Sequence, residues 1–189
     1  MAVPSDEQLL AALLEDDENA LRVLVDRYAS SIYRFALRFC NDQTLAEDIS
    51  QEVFLRVYRY ARQFHPGRVF KAWLFAIARN VSIDLARAAR VRRFESLDES
   101  DIENQGPRRQ ALLPVAESTV QDRYIQQETE QALRRALHDL PENQRSSIIL
   151  RYYEGMAVKD IAVVMDCSVS AVESLLIRAK RNLAKSMEL

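Results

Sequence analysis

The stretch whose reading decides the fold is Val158-Lys159-Asp160-Ile161-Ala162-Val163-Val164-Met165-Asp166-Cys167-Ser168-Val169-Ser170-Ala171-Val172-Glu173-Ser174-Leu175. Two apolar-periodic segments flank a turn at Asp166, the pattern of a helix-turn-helix. Ala162 is small where two helices must approach closely, and Ile161, Met165, Cys167, Val172 and Leu175 are the predicted contacts between them. The turn needs a left-handed residue, and Asp166 tolerates that conformation. Upstream, Glu154-Gly155 ends the preceding helix.

The second helix carries the chemistry. At about 100° per residue, Val172, Leu175, Leu176, Ala179, Leu183 and Met187 form an apolar stripe. Ser170 and Ser174, then Arg178, Arg181 and Lys185, fall away from it. A helix lying in a DNA major groove needs short polar groups near its start and cations that reach phosphates or guanine edges. Ordinary surface helices show the same stripe, so the preceding turn pattern is what favours DNA. Glu173 has two readings. With Ser170 it matches a capping box, or its carboxylate accepts from a cytosine amino group.

Working outward, the rest of the chain is also helical. Only three glycines and five prolines interrupt 189 residues. Asp6 to Tyr60 reads as two or three helices, with Leu21, Leu24, Tyr28, Ile32, Phe35 and Phe39 on one core face and a break at Asn41-Asp42. After His65-Pro66-Gly67 another helix carries Phe70, Leu74, Ile77, Val81 and Leu85 inward. Residues from about Phe94 to Ser118 show no periodicity and read as a flexible linker. Helices then resume over Val120–Asp139 and Pro141–Glu154. The expected fold is all-α, with two small helical domains at 5–93 and 119–189 joined by a linker at 94–118.

A near-neutral net charge of −2 hides strong segregation. Residues 1–55 carry 4 basic and 11 acidic groups, whereas residues 56–93 carry 10 basic groups against the single acid Asp84. A basic block in an acidic chain predicts a polyanion-facing surface, with a solvated helical face as the plainer reading. Within it, Phe64, Phe70, Trp73 and Phe75 alternate with Arg62, Arg68, Lys71 and Arg79. Cations along a backbone and aromatics for stacking suit single-stranded nucleic acid, although Phe70 and Trp73 also fit packing. Arg79, Asn80, Ser82, Arg87 and Arg90 are the expected exposed contacts. The helix before this block turns Ile49, Val53, Val57 and Tyr60 inward. It presents Asp48, Gln51, Glu52, Leu55 and Arg59 outward, a mixture suited to a protein partner.

Other classes find little support. His65 and His138 are isolated, no glycine-rich phosphate loop occurs, and Asp48 with Glu52 lacks metal-ligand company. No cofactor and no catalytic group are expected. Cys40 and Cys167 have no redox or metal spacing and read as buried, reduced thiols. No apolar run approaches the ~20 residues that span a bilayer, and no signal segment opens the chain. A helix-turn-helix regulator acting without polymerase is the rival reading, and it leaves the basic-aromatic block unexplained.

Three segments together resemble bacterial sigma factors of the extracytoplasmic-function group. They are Ala46-Glu47-Asp48-Ile49-Ser50-Gln51-Glu52-Val53-Phe54, then Phe70-Lys71-Ala72-Trp73-Leu74-Phe75-Ala76-Ile77-Ala78-Arg79-Asn80, and Leu140-Pro141-Glu142-Asn143-Gln144-Arg145 through Lys185. The first two resemble the family's region 2 and the last its region 4. The resemblance implies that Asp48, Gln51, Glu52 and Leu55 dock on the β′ clamp helices of core RNA polymerase, with the β flap as a further contact. It implies that Trp73, Arg79, Asn80, Ser82, Arg87 and Arg90 open and read a −10 element. Ser170, Glu173, Ser174, Arg178, Arg181 and Lys185 then serve the −35 element. The family often has Lys or Arg where this chain has Glu173-Ser174-Leu175-Leu176. A cytoplasmic location follows, with an anti-sigma factor able to hold the protein at the inner membrane and no direct membrane insertion.

Overall fold

The first three helices start at residues whose side chains supply what a helix N-terminus lacks. In the computed structural model, which describes residues 3–65, 67–97 and 120–187, the order is α1 (Asp6–Leu14), α2 (Glu18–Cys40), α3 (Gln43–Tyr60), α4 (Phe70–Leu97), α5 (Val120–Asp139), α6 (Glu142–Ile148), α7 (Val158–Met165) and α8 (Val169–Met187). No strand occurs among the described residues. Ser5 and Gln8 form a reciprocal capping box at the start of α1, and Asp17 and Asp42 cap α2 and α3. Such caps satisfy amide donors that a first helical turn leaves open. The break at Asn41-Asp42 falls where the sequence put it, with Asn41 left-handed at φ 56°. The basic helix runs on to Leu97, into the linker expected at 94–118, and the rest of that linker lies outside the described residues.

Helices α1 to α4 enclose one apolar core. Leu24, Ile32, Phe35, Phe39, Ile49, Val53, Val57, Phe70, Leu74, Phe75 and Val81 are fully buried in it. Phe35 meets Phe75 edge-on at 5.6 Å, a favoured aromatic geometry. Tyr60 departs from expectation: it is 43% exposed. There α3 tightens into a 3-10 turn over Ala61–Gln63, which changes the angular phase, and Ala61 takes the inward place.

Helices α5 to α8 form the second group, with Ile149, Leu150, Ile161, Val172 and Ala179 at its centre. Between α6 and α7 the chain widens into a π-helical turn, Ile149–Tyr153. Left-handed Gly155 (φ 65°) follows two residues after its end.

The two groups are packed together. Helix α7 lies against α4, while α5 and the π turn lie against α2. Arg145 is the pin of this junction, 7% exposed. Its guanidinium donates to Phe39 O at the end of α2 (2.6 Å), to Leu140 O (2.9 Å), and to His138 O. One cation thereby satisfies carbonyls at two helix C-termini, where negative dipole ends favour positive charge. Burial lowers the pKa of Arg145 from its ordinary value, and its Nε has no hydrogen-bond partner among the described residues.

Candidate nucleic-acid interface

The helix-turn-helix forms as its sequence implies. Asp166 is left-handed (φ 49°, ψ 52°), and the Cys167 amide returns to Ala162 O at 3.0 Å. This closes α7 in the manner of a helix C-terminal motif that usually calls for Gly. Ile161, Ala162, Met165, Val172 and Leu176 are buried, whereas Cys167 and Leu175 are only half-buried. Cys40 is half-buried as well, not enclosed as expected. Its environment still pushes the thiol up to about 11.

Helix α8 has two clearly different sides. Ser170, Ser174, Arg178, Arg181 and Lys185 are all exposed, within a sector about 80° wide at 100° per residue. Arg178 Nε donates to Ser174 O at 3.3 Å, a long contact that leaves most of its donors available. The cap is not the one that Ser170 and Glu173 suggested. Ser168 precedes the first residue of α8, and its Oγ accepts from the Ala171 amide at 3.2 Å. Ser170 contacts the Ser168 hydroxyl instead, at 3.0 Å. Glu173 is thus exposed and outside any capping box. It borders an open groove of about 310 Å³ with Tyr152, Leu176, Ile177 and Lys180, on the flank of the cationic sector.

Helix α4 supplies the second candidate surface. Phe70 is fully buried, so the packing reading holds for it. Trp73 is half-buried, against Phe64 at 5.4 Å and Phe70 at 5.9 Å, and is not fully enclosed. The Glu7 carboxylate accepts from the Phe70 amide at 3.4 Å, so α1 helps hold the start of α4. Asn80, Arg87 and Arg90 are exposed, and Arg79 is half-buried. Ser82 corrects the expected set. It is 0% exposed and its Oγ donates to Ala78 O at 2.7 Å, one turn back. A small hydroxyl that bonds its own helix can sit inside with its hydrogen-bonding need met.

Arg79, Arg87 and Arg90 of α4 face the other helical group. Arg87 donates to both carboxylate oxygens of Glu142, at 2.7 and 3.3 Å. That hydrogen bonding, ahead of any other influence, holds the Glu142 carboxyl below its ordinary value. Arg79 donates to the Asn143 side-chain oxygen at 2.6 Å, and its own Nε is buried with no partner among the described residues. Lys71 Nζ donates to Glu154 O at 2.8 Å, and Arg38 stacks 4.2 Å over the Tyr153 ring. Burial raises the pKa of the Glu154 carboxyl itself. Arg90 lines a cleft of about 390 Å³ at this junction with His138, Asp139, Leu140, Pro141, Glu142 and Arg145.

On α3 the outward face is largely as read. Asp48 and Gln51 are exposed, Leu55 is 50% exposed, and Tyr58 adds 58% exposure beside it. Glu52 is half-buried and paired with Arg56 at 2.8 Å, so it is less free than its neighbours. The roles of Lys71, Glu142, Asn143 and Arg145 at the junction are not legible in the sequence. Lys71 and Arg145 donate to backbone carbonyls, which leave no pattern.

No helix among the described residues is long and apolar enough to cross a membrane. Among the same residues, no group of His, Cys, Asp or Glu gathers as a metal site.

Comparison with known proteins gives consistent matches. The family description Sigma-70 region 2 matches residues 24–92, and Sigma-70, region 4 matches residues 130–183. The chain is 31% identical over 183 residues to the RNA polymerase sigma-H factor of Pseudomonas aeruginosa, covering 97% of this chain and 94% of that one. It is 32% identical over 172 residues to the ECF RNA polymerase sigma factor SigX of Bacillus subtilis, covering 91% and 86%. Its fold is similar to CnrH, solved in complex with the cytosolic domain of CnrY, with TM-score 0.67, 25% identity and 97% of each chain covered.

Proposed function

Since the chain belongs to the extracytoplasmic-function group of sigma-70 RNA polymerase sigma factors, we propose a division of that family's work among its helices. The protein is an alternative sigma factor that binds core polymerase and directs promoter-specific initiation through −10 and −35 recognition. Its family is one of non-catalytic initiation factors.

Helix α8 reads the −35 element in duplex form. Ser170 and Ser174 approach base edges, while Arg178, Arg181 and Lys185 hold phosphates and fix register. Glu173 stands at the flank and contributes little to phosphate binding. Helix α4 serves the −10 element. Arg79, Asn80, Arg87 and Arg90 track the displaced strand, and the open part of Trp73 offers a stacking face. Ser82 positions α4 from inside rather than touching DNA. Capturing the strand offsets an unpairing cost of about a few kcal/mol per extruded base.

Asp48, Gln51 and Leu55, with Glu52 beside them, dock on the β′ clamp helices, and the C-terminal group meets the β flap. The two groups correspond to domains at about 5–93 and 119–189, the first carried on by α4 to Leu97. The protein works in the cytoplasm without a catalytic step or cofactor. An anti-sigma factor is its regulator, a reading supported by CnrH having been solved with the cytosolic domain of another protein.

The observation that carries this reading is the exposed cationic sector of α8, set directly after a left-handed helix-turn-helix corner. Run-off transcription from a promoter library tests it, using core polymerase with and without the protein. Factor-dependent transcripts with a shared −35 and −10 spacing are the expected result. No complex with core and no dependent transcript would sink it.

A further inference from the structure

The structure assigns to Glu142 and Asn143 a role as an internal stand-in for DNA, occupying Arg79 and Arg87 while the two helical groups are packed together. The inference rests on the reading of those two arginines as strand contacts. Its own content is that this chain carries their competitor.

The geometry is that of backbone recognition. A phosphate offers a guanidinium two anionic oxygens in one plane, and a carboxylate does the same. Glu142 gives Arg87 that two-oxygen contact, at 2.7 and 3.3 Å. One residue on, Asn143 offers Arg79 a neutral oxygen at 2.6 Å. Arg79 and Arg87 lie eight residues apart on α4, about 12 Å along the axis. Neighbouring residues of α6 engage both, Arg87 through Nε and one terminal nitrogen and Arg79 through one, so a strand competes with α6 for those donors.

The imitation is incomplete, which makes it displaceable. The Arg79 Nε is buried with no partner among the described residues, and a buried donor left open is unfavourable. Arg87 is exposed, and ion pairs of this kind shift an equilibrium by no more than about fivefold. Together with the charge-assisted Arg79 contact, the latch biases the chain toward self-occupancy by about tenfold. A strand that satisfies every donor displaces it.

The test is binding of a fluorescein-labelled, random-sequence 12-nucleotide single strand to the full chain, followed by anisotropy. Glu142→Gln keeps the shape of the side chain and removes its charge; a second variant adds Asn143→Ala. The expected result is affinity rising several-fold in the first and about tenfold in the second. Adding Arg79→Ala and Arg87→Ala to the second variant should abolish that gain. Unchanged affinity in both variants, with the arginine substitutions still weakening binding, would overturn the latch and leave the strand reading intact. Unchanged affinity with harmless arginine substitutions would overturn both.

Discussion

Ser168 ends α7's turn and begins α8 with one hydroxyl. Its Oγ accepts from the Ala171 amide, one of the donors that a helix start leaves open. Ser168→Ala is therefore expected to lower stability by about 1 kcal/mol, and Ser170→Ala by much less. Thermal unfolding of the two variants checks the order; a larger loss in Ser170→Ala would return the cap to Ser170. Sequence spacing favoured Ser170 because Glu173 follows three residues later. The helix starts two residues earlier than that spacing implies, and a one-sided cap at Ser168 needs no glutamate. Ser82 was illegible for a related reason. A serine that bonds the carbonyl one turn back has the same sequence signature as one that faces water.

At the scale of a helix, α8 separates stability from binding. Its buried stripe holds it to α6 and α7, and its cations lie on the far side. Arg178→Ala with Arg181→Ala should leave the melting temperature nearly unchanged. Each lost phosphate contact should lower the slope of log affinity against log salt by about 0.9, so by roughly 2 for the pair. Glu173→Ala should leave that slope in place. Duplex binding across a salt series measures both, and an unchanged slope in the double variant would remove α8 from the interface. Helical periodicity made this face legible, as it did the inward residues Ile49, Val53 and Val57 of α3. Periodicity failed at Tyr60, where a 3-10 turn rotates the side chains away from the α-helical count.

Across the whole molecule, the two helical groups were legible separately and their junction was not. Arg145 reaches carbonyls of Phe39, His138 and Leu140, and backbone acceptors have no residue type to read. Glu142 and Asn143 resemble any polar start to a helix. The residues proposed to face polymerase lie apart from this junction, because α3 packs on α2 and α4 and leaves Asp48, Gln51 and Leu55 open. Asp48→Ala with Gln51→Ala should thus weaken core binding by about tenfold or more while sparing duplex binding. Co-elution with core and DNA titration measure the two, and parallel loss of both would mean that the fold had failed instead. That separation has a consequence for the search problem. With Arg79 and Arg87 held by Asn143 and Glu142 as proposed, single strands compete about tenfold less well for the free factor, while the α8 sector stays open to duplex. Its docking face stays available meanwhile. Strand capture then waits until the two helical groups part, whereas docking and duplex contact do not.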